Sequence, residues 1–251
     1  MVNQLFSLSG KTVLVTGASS GIGRAIAIAC SEMGARVMLT ARNSENLEFT
    51  KSMMCGEGHI ICPADITNEA EIQQMAESAP TLDGVVHNAG MRRLMPCKGA
   101  KDSHITEMLR TNFVGTALLQ KHLLRAKKIN RGSSVVFIAS RAASAPAIGN
   151  AFYAASKGAL LAYAKTLGLE LSPQGIRVNS ICPAMVWTEL AERDAKFAGT
   201  NQEELLRRYP LKRLGKPEDV ANLAVFLLSD ASSWMTGSVI DITGGGELTL
   251  M

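Results

Sequence analysis

Seven short apolar runs punctuate the chain, and helical stretches lie between them. The runs fall at residues 12–16, 36–40, 59–62, 84–87, 134–138, 177–181 and 238–242. They are continuously apolar instead of alternating, the pattern of strands covered by helices on both faces. Helical patterns fall at 23–33, closed by Gly34, and near 44–54, 69–77, 103–127, 152–171 and 217–229. Strand–helix alternation from end to end predicts an α/β fold with a parallel, doubly wound sheet of seven strands. The 251 residues carry no internal repeat and no linker-like stretch, which predicts a single domain over 1–251.

Composition narrows the functional classes. With 47% hydrophobic and 19% charged residues, 22 Gly and 8 Pro, the chain is neither disordered nor collagen-like. A net charge of +4 without a long basic run argues against a nucleic-acid partner. The five cysteines (Cys30, Cys55, Cys62, Cys97, Cys182) are scattered and have no zinc-type spacing, so free thiols in a reducing compartment are expected and no metal is. The first eleven residues lack a basic stretch followed by a long apolar run, and no apolar run approaches the ~18 residues of a membrane span. The expectation is a soluble, cytoplasmic protein with no membrane partner.

The first strand runs directly into Thr16-Gly17-Ala18-Ser19-Ser20-Gly21-Ile22-Gly23, and a helix follows. Glycine suits a backbone that must turn with positive φ or approach a phosphate closely. The helix start offers unpaired N–H groups and the positive end of its dipole to an anion. Alone, three glycines among 22 pass for a tight turn; their place between strand and helix selects a dinucleotide. At the end of the second strand, a carboxylate would bind the 2′-hydroxyl of NAD. The chain has Thr40-Ala41-Arg42 there. Arg42 presents a planar fork suited to a 2′-phosphate, so NADP(H) is expected over NAD(H).

Tyr153-Ala154-Ala155-Ser156-Lys157 opens an alanine-rich helix. Residues four apart share a face, so phenol and ammonium can converge. A free tyrosine titrates near ~10, and a neighbouring cation favours the phenolate and brings it toward the working range. The pair can therefore exchange an alcohol proton. Ser140 ends the fifth strand and His87-Asn88-Ala89-Gly90 the fourth, both at the carboxyl edge where ligands bind such sheets. Asn112 lies inside the 103–127 helix, where an amide is unremarkable unless it bonds inward.

On residues Thr16 to Gly23, Asp65, Asn88-Ala89-Gly90, Asn112, Ser140, Tyr153, Lys157, and Pro183 followed by Thr188, the chain resembles the short-chain dehydrogenase/reductase family over nearly its whole length. The resemblance implies a Rossmann-like domain that moves hydride between a nicotinamide and a carbonyl or alcohol. It implies Tyr153 as general acid, Lys157 lowering the tyrosine pKa and binding the nicotinamide ribose, Ser140 positioning the oxygen and Asn112 holding a relay water. It further implies that Gly17, Ser19, Ser20, Gly21, Ile22 and Gly23 cradle the pyrophosphate and that Asp65 and Ile66 meet the adenine. Asn88, Ala89 and Gly90 then lie along the adenosine side, and Pro183, Val186 and Thr188 reach the carboxamide end. His87 stands where a second Asn is usual, Ala184 where Gly usually follows Pro, and the 69–83 stretch is short for the family.

Within the family the likeness is to 3-oxoacyl-carrier-protein reductases, which implies a ketone or 3-oxoacyl thioester as substrate. A sugar, polyol or steroid dehydrogenase, or a dinucleotide sensor without turnover, are the other readings. Arg92, Arg93, Lys98, Lys101 and Arg131 read either as a surface for an acidic carrier or phosphorylated substrate, or as a solvated basic face. Gln174 stands where carrier-linked reductases often have a basic residue. The 184–210 segment reads either as an insertion over the site or as an ordinary surface helix pair. Apolar residues on several faces of 103–127 and 152–171 predict a second subunit as cover, the resemblance implies a homodimer or homotetramer, and the tail 248–251 reads either as a second contact or as a loose end.

Overall fold

The protein is described by a computed structural model covering residues 4–145, 147–197, 202–207 and 209–246. Seven strands form the sheet: β1 (Thr12–Thr16), β2 (Arg36–Thr40), β3 (Ile60–Ile61), β4 (Leu82–His87), β5 (Ile129–Ile138), β6 (Arg177–Pro183) and β7 (Val239–Ile242). All neighbours are parallel, in the order β3-β2-β1-β4-β5-β6-β7. The order reverses between β1 and β4, and there a crevice opens beyond the carboxyl ends of the strands.

The apolar runs are continuous because successive residues feed two different cores. Val13, Val15, Val37, Leu39, Val86 and Val136 pack on one face with Ile26 and Cys30 of helix α1 (Gly21–Glu32) and Val220 and Ala224 of the helix Pro217–Leu228. Leu14, Met38, Val85, Val135 and Phe137 point the other way. There they meet Ile72 of the helix Glu69–Ser78, Leu119 and Leu123 of Gly115–Arg125, and Leu160 and Leu167 of Ala151–Leu171. In chain order after α1 the helices are α2 (Ser44–Ser52), α3 (Glu69–Ser78), α4 (Asp102–Leu109), α5 (Gly115–Arg125), α6 (Ala151–Leu171), α7 (Glu189–Phe197), α8 (Gln202–Leu206) and α9 (Pro217–Leu228). Each fully buried Val or Leu contributes about 1.5–3 kcal/mol, so both faces hold the strand ends firmly beneath the crevice.

Two details differ from the sequence reading. β5 begins five residues early, at Ile129, because Asn130, Arg131 and Gly132 hide its start as a polar interruption. The expected 103–127 helix is α4, a π-helical turn at Arg110–Val114, and α5. The Gly115 N–H reaches back five residues to the Arg110 carbonyl. Gly115 also permits close approach, since a Cβ there would lie 2.0 Å from the Ile66 carbonyl oxygen. The described part of 184–210 carries helices α7 and α8. The tail 248–251 lies outside the described residues. No described helix is long and apolar enough to cross a membrane.

Candidate active site

The crevice is built first around the glycine turn. Gly17 (φ +65°) and Gly21 (φ +51°) occupy the left-handed region that disfavours other residues. At Gly23 a Cβ would stand 2.1 Å from the Gly17 carbonyl oxygen, so only glycine lets α1 start against the loop. Ser20 is the N-cap of α1, yet its side chain makes no capping bond. The first-turn N–H groups are thus left to an incoming anion. Thr188, beyond β6, brings its Cγ2 to 3.4 Å from the place a Gly21 Cβ would take. The β6 loop therefore overhangs the same turn that begins after β1.

One hydroxyl ties the end of β1 to the loop after β4. Thr16 Oγ1 accepts from the Asn88 and Ala89 N–H groups at 2.9 and 3.0 Å, and Asn88 Nδ2 returns a bond to the Thr16 carbonyl at 3.1 Å. Farther out, Arg42 is exposed at the end of β2. Burial raises the Asp65 carboxyl, but two 2.8 Å bonds from Thr67 and the charge of Arg42 outweigh it and hold the group below its ordinary value. Arg24 of α1 donates to the Ser19 carbonyl and to Thr50 Oγ1, fixing the turn from below. These residues fit a dinucleotide: helix-end donors at α1 are open to a pyrophosphate, and Arg42 stands at the end of β2.

The candidate acid–base residues meet at the ends of β4 and β5. Asn112, fully buried in the π turn, accepts from the Met91 N–H at 2.7 Å and donates to the Met91 carbonyl and Ser156 Oγ, both at 2.9 Å. Both amide hydrogens are therefore used inward, clamping the loop after Gly90. A Cβ on Gly90 would lie 3.2 Å from Asn112 Oδ1 and 3.5 Å from Lys157 Nζ, so Gly90 lets the two approach. Lys157 Nζ donates to the Ile138 carbonyl at 2.8 Å and lies 6.0 Å from the Tyr153 ring centre. Burial lowers its pKa to about 8, and nearby Cys182 opposes the shift slightly. Ser140, two residues beyond Ile138, accepts from the Ala142 N–H at 3.1 Å.

The sequence-derived residues fall into three groups. Gly17, Gly23, Asn88 and Ala89 touch one another, with Gly21 under Thr188. Ile66 abuts Gly115 at the end of the π turn, while Asp65 stands by Arg42. Gly90, Asn112, Tyr153 and Lys157 form the third group. Val186 makes an isolated bridge with Gly215 behind Pro183 at the end of β6. His87 is not part of the crevice chemistry. Its Nε2–H meets Gln120 Oε1 at 2.8 Å, its ring stacks on Phe137, and burial lowers its pKa to about 4. Sequence reasoning gave no role to Thr16, Ser156, Arg24 or Asn150. Their contributions are hydrogen bonds to distant residues, which local spacing does not reveal.

A glycine turn at the sheet's switch point, with a tyrosine and a buried lysine beside it, defines a nucleotide-dependent oxidoreductase. The chain belongs to the short-chain dehydrogenase/reductase family. A family model described as enoyl-(acyl carrier protein) reductase matches residues 17–247. The 3-oxoacyl-[acyl-carrier-protein] reductase FabG of Rickettsia felis is 31% identical over 241 residues, covering 96% of this chain and 98% of that protein. The D-threitol dehydrogenase of Mycolicibacterium smegmatis is 33% identical over 246 residues, covering 96% and 94%. Among solved structures, a short-chain dehydrogenase/reductase of the glucose/ribitol dehydrogenase type from Brucella melitensis superposes with TM-score 0.86 at 33% identity, covering 95% and 97%. Members act on carbonyl or alcohol groups with a nicotinamide dinucleotide, and this chain is an oxidoreductase of that kind.

Proposed function

We propose that the protein reduces a ketone to a secondary alcohol with NADP(H), Tyr153 giving the proton to the carbonyl oxygen. The reading is supported chiefly by the seat of Lys157: 5% exposed, 2.8 Å from the Ile138 carbonyl and beside the Tyr153 ring. A bound nicotinamide supplies or accepts the hydride. The protein's part is to hold the oxygen and move one proton. Ser140 donates its hydroxyl hydrogen to the substrate oxygen and keeps it near the phenol. Lys157, cationic below about pH 8, favours the phenolate left on Tyr153 when that proton has gone. Asn112 holds the Gly90–Met91 corner against this pair, and any relay water it serves must lie beyond amide hydrogens already in use.

NADP(H) in place of NAD(H) is supported by exposed Arg42 at the end of β2, whose guanidinium fork suits a 2′-phosphate. Among substrates, a 3-oxoacyl thioester is favoured by the likeness to the 3-oxoacyl-carrier-protein reductase. The D-threitol dehydrogenase favours a polyol as second reading. We further propose a homodimer or homotetramer in the cytoplasm. Leu169 on α6 is 77% exposed and Trp234 is 99% exposed, and both are apolar surface that a second subunit can cover.

The test is Tyr153→Phe against a panel of ketones and 3-oxoacyl thioesters. NADPH should still bind, and its substrate-dependent oxidation should fall at least 100-fold, the scale of a lost general acid. Retained turnover in the variant would remove Tyr153 from this role. Tight NADPH binding with no oxidation by any carbonyl in wild type would favour a sensor.

A further inference from the structure

Two backbone carbonyls of the glycine turn are tied down by side chains from the helices that flank it. Thr50 of α2 is fully buried, and its Oγ1 donates to the Ala18 carbonyl at 2.9 Å. The Asn46 carbonyl, one turn back on α2, shares that hydrogen at 3.0 Å. Arg24 of α1 donates from Nη2 to the Ser19 carbonyl and from Nε to Thr50 Oγ1 at 3.1 Å. Its guanidinium carbon also lies 5.0 Å from the Phe49 ring centre. The fork is therefore engaged by the turn, by the Thr50 hydroxyl and by a ring of the same helix.

A trans peptide unit points its C=O and its N–H in opposite directions. The Ala18 carbonyl shares its unit with the Ser19 N–H, and the Ser19 carbonyl shares its unit with the Ser20 N–H. Tying both carbonyls to Thr50 and Arg24 thus fixes both N–H groups on the other side of the turn. Among the described residues, no group accepts either N–H. They adjoin the first turn of α1, which Ser20 leaves uncapped. The Ala18 N–H, bonded to the Thr40 carbonyl at 3.2 Å, fastens the turn to the end of β2. Arg42 and the α2 cap Asn43 follow on that strand, so turn and strand-end cation rest on one support.

Resting on the reading of the crevice as a dinucleotide site, we propose that Arg24 and Thr50 are positioning residues for the cofactor. They hold the Ser19 and Ser20 N–H groups toward its pyrophosphate. Their action is indirect, since the bonds they make are to the protein's own carbonyls and to each other. Donors fixed in advance need no reorganisation when the anion arrives, so the benefit is read as affinity. With either tie removed, the freed peptide unit can turn its carbonyl toward the anion and oppose it.

The test is calorimetric binding of NADPH, NADH, ADP-ribose and adenosine to wild type, Thr50→Val, Thr50→Ser, Arg24→Met and Arg24→Lys, with thermal melts to check folding. Thr50→Val and Arg24→Met should each weaken ADP-ribose, and whichever dinucleotide wild type prefers, by about tenfold, the scale of one charge-assisted bond. Adenosine, which has no phosphate, should bind each variant as it binds wild type. Thr50→Ser and Arg24→Lys keep a donor and should recover most of the loss. If Arg24→Met does not fold, the Thr50 pair decides alone. Unchanged dinucleotide affinity in the folded variants overturns the assignment, as does equal weakening of ADP-ribose and adenosine. Loss in Arg24→Met with none in Thr50→Val also overturns it, because the guanidinium would then act on phosphate directly. Binding needs no substrate, so failure of the ketone reading leaves the test intact. Failure of wild type to bind either dinucleotide overturns the cofactor reading and this assignment together.

Discussion

Replacing Lys157 with Met should make the apoprotein more stable near neutral pH while abolishing activity. Burial drops the lysine pKa from an ordinary 10.5 to about 8. At ~1.4 kcal/mol per pH unit, holding the proton near pH 7 costs the folded state about 3 kcal/mol relative to the unfolded chain. Methionine keeps most of the stem's packing and removes that cost. It also removes the bond to the Ile138 carbonyl, worth about 1 kcal/mol. The net gain is about 2 kcal/mol, or about 4–8 °C in Tm for a chain of this size. Between pH 8 and 10.5 the unfolded wild type binds more protons than the folded one, so wild-type stability rises with pH there. The variant lacks this slope, and its advantage should shrink through that window and reverse above it. Urea unfolding at pH 7, 8, 9 and 10 measures both quantities. A variant less stable at pH 7, by an amount that does not change with pH, would refute the buried charge.

Two further perturbations probe the scaffold and the cofactor. Asn112→Ala removes three hydrogen bonds, each worth about 1 kcal/mol, and should lower Tm by on the order of 10 °C; a thermal melt with less than 2 °C loss would deny the clamp on Met91. Arg42→Glu should cut the preference for NADPH over NADH by about 10–100-fold, the scale of one charge-assisted bond. Cofactor fluorescence titration reads the ratio, and an unchanged ratio would place the 2′-phosphate elsewhere.

The fold was legible because a parallel sheet leaves a local mark: strands 12–16 and 36–40 coincide with β1 and β2 to the residue. Motifs carried the crevice for the same reason, since Gly17, Gly21 and Gly23 act through their own backbone. What stayed hidden depends on distant partners. Apolar spacing treats Asn112 as one more helical position, and only the π turn reveals that it faces Met91. Gly115 was the available signal for that turn, because a glycine amid good helix formers asks for a reason. Arg92 could not be told from Lys98 or Lys101 by sequence, as only the packed loop sets it above Tyr153. The hydroxyl of Thr16 was visible as a letter, but its two N–H partners lie more than seventy residues away.

The wide turn at Arg110–Val114 ties chain length to chemistry. A π turn is an α-helix holding one residue more than its pitch requires. Loss of any one of those five residues would let the helix close to regular spacing and rotate one flank by about 100° relative to the other. Met108 and Leu119, now both buried, would then compete to face inward. Length along this helix is thus constrained more tightly than sequence, and the approach of Gly115 to the Ile66 carbonyl depends on the same extra residue that lets Asn112 reach Met91.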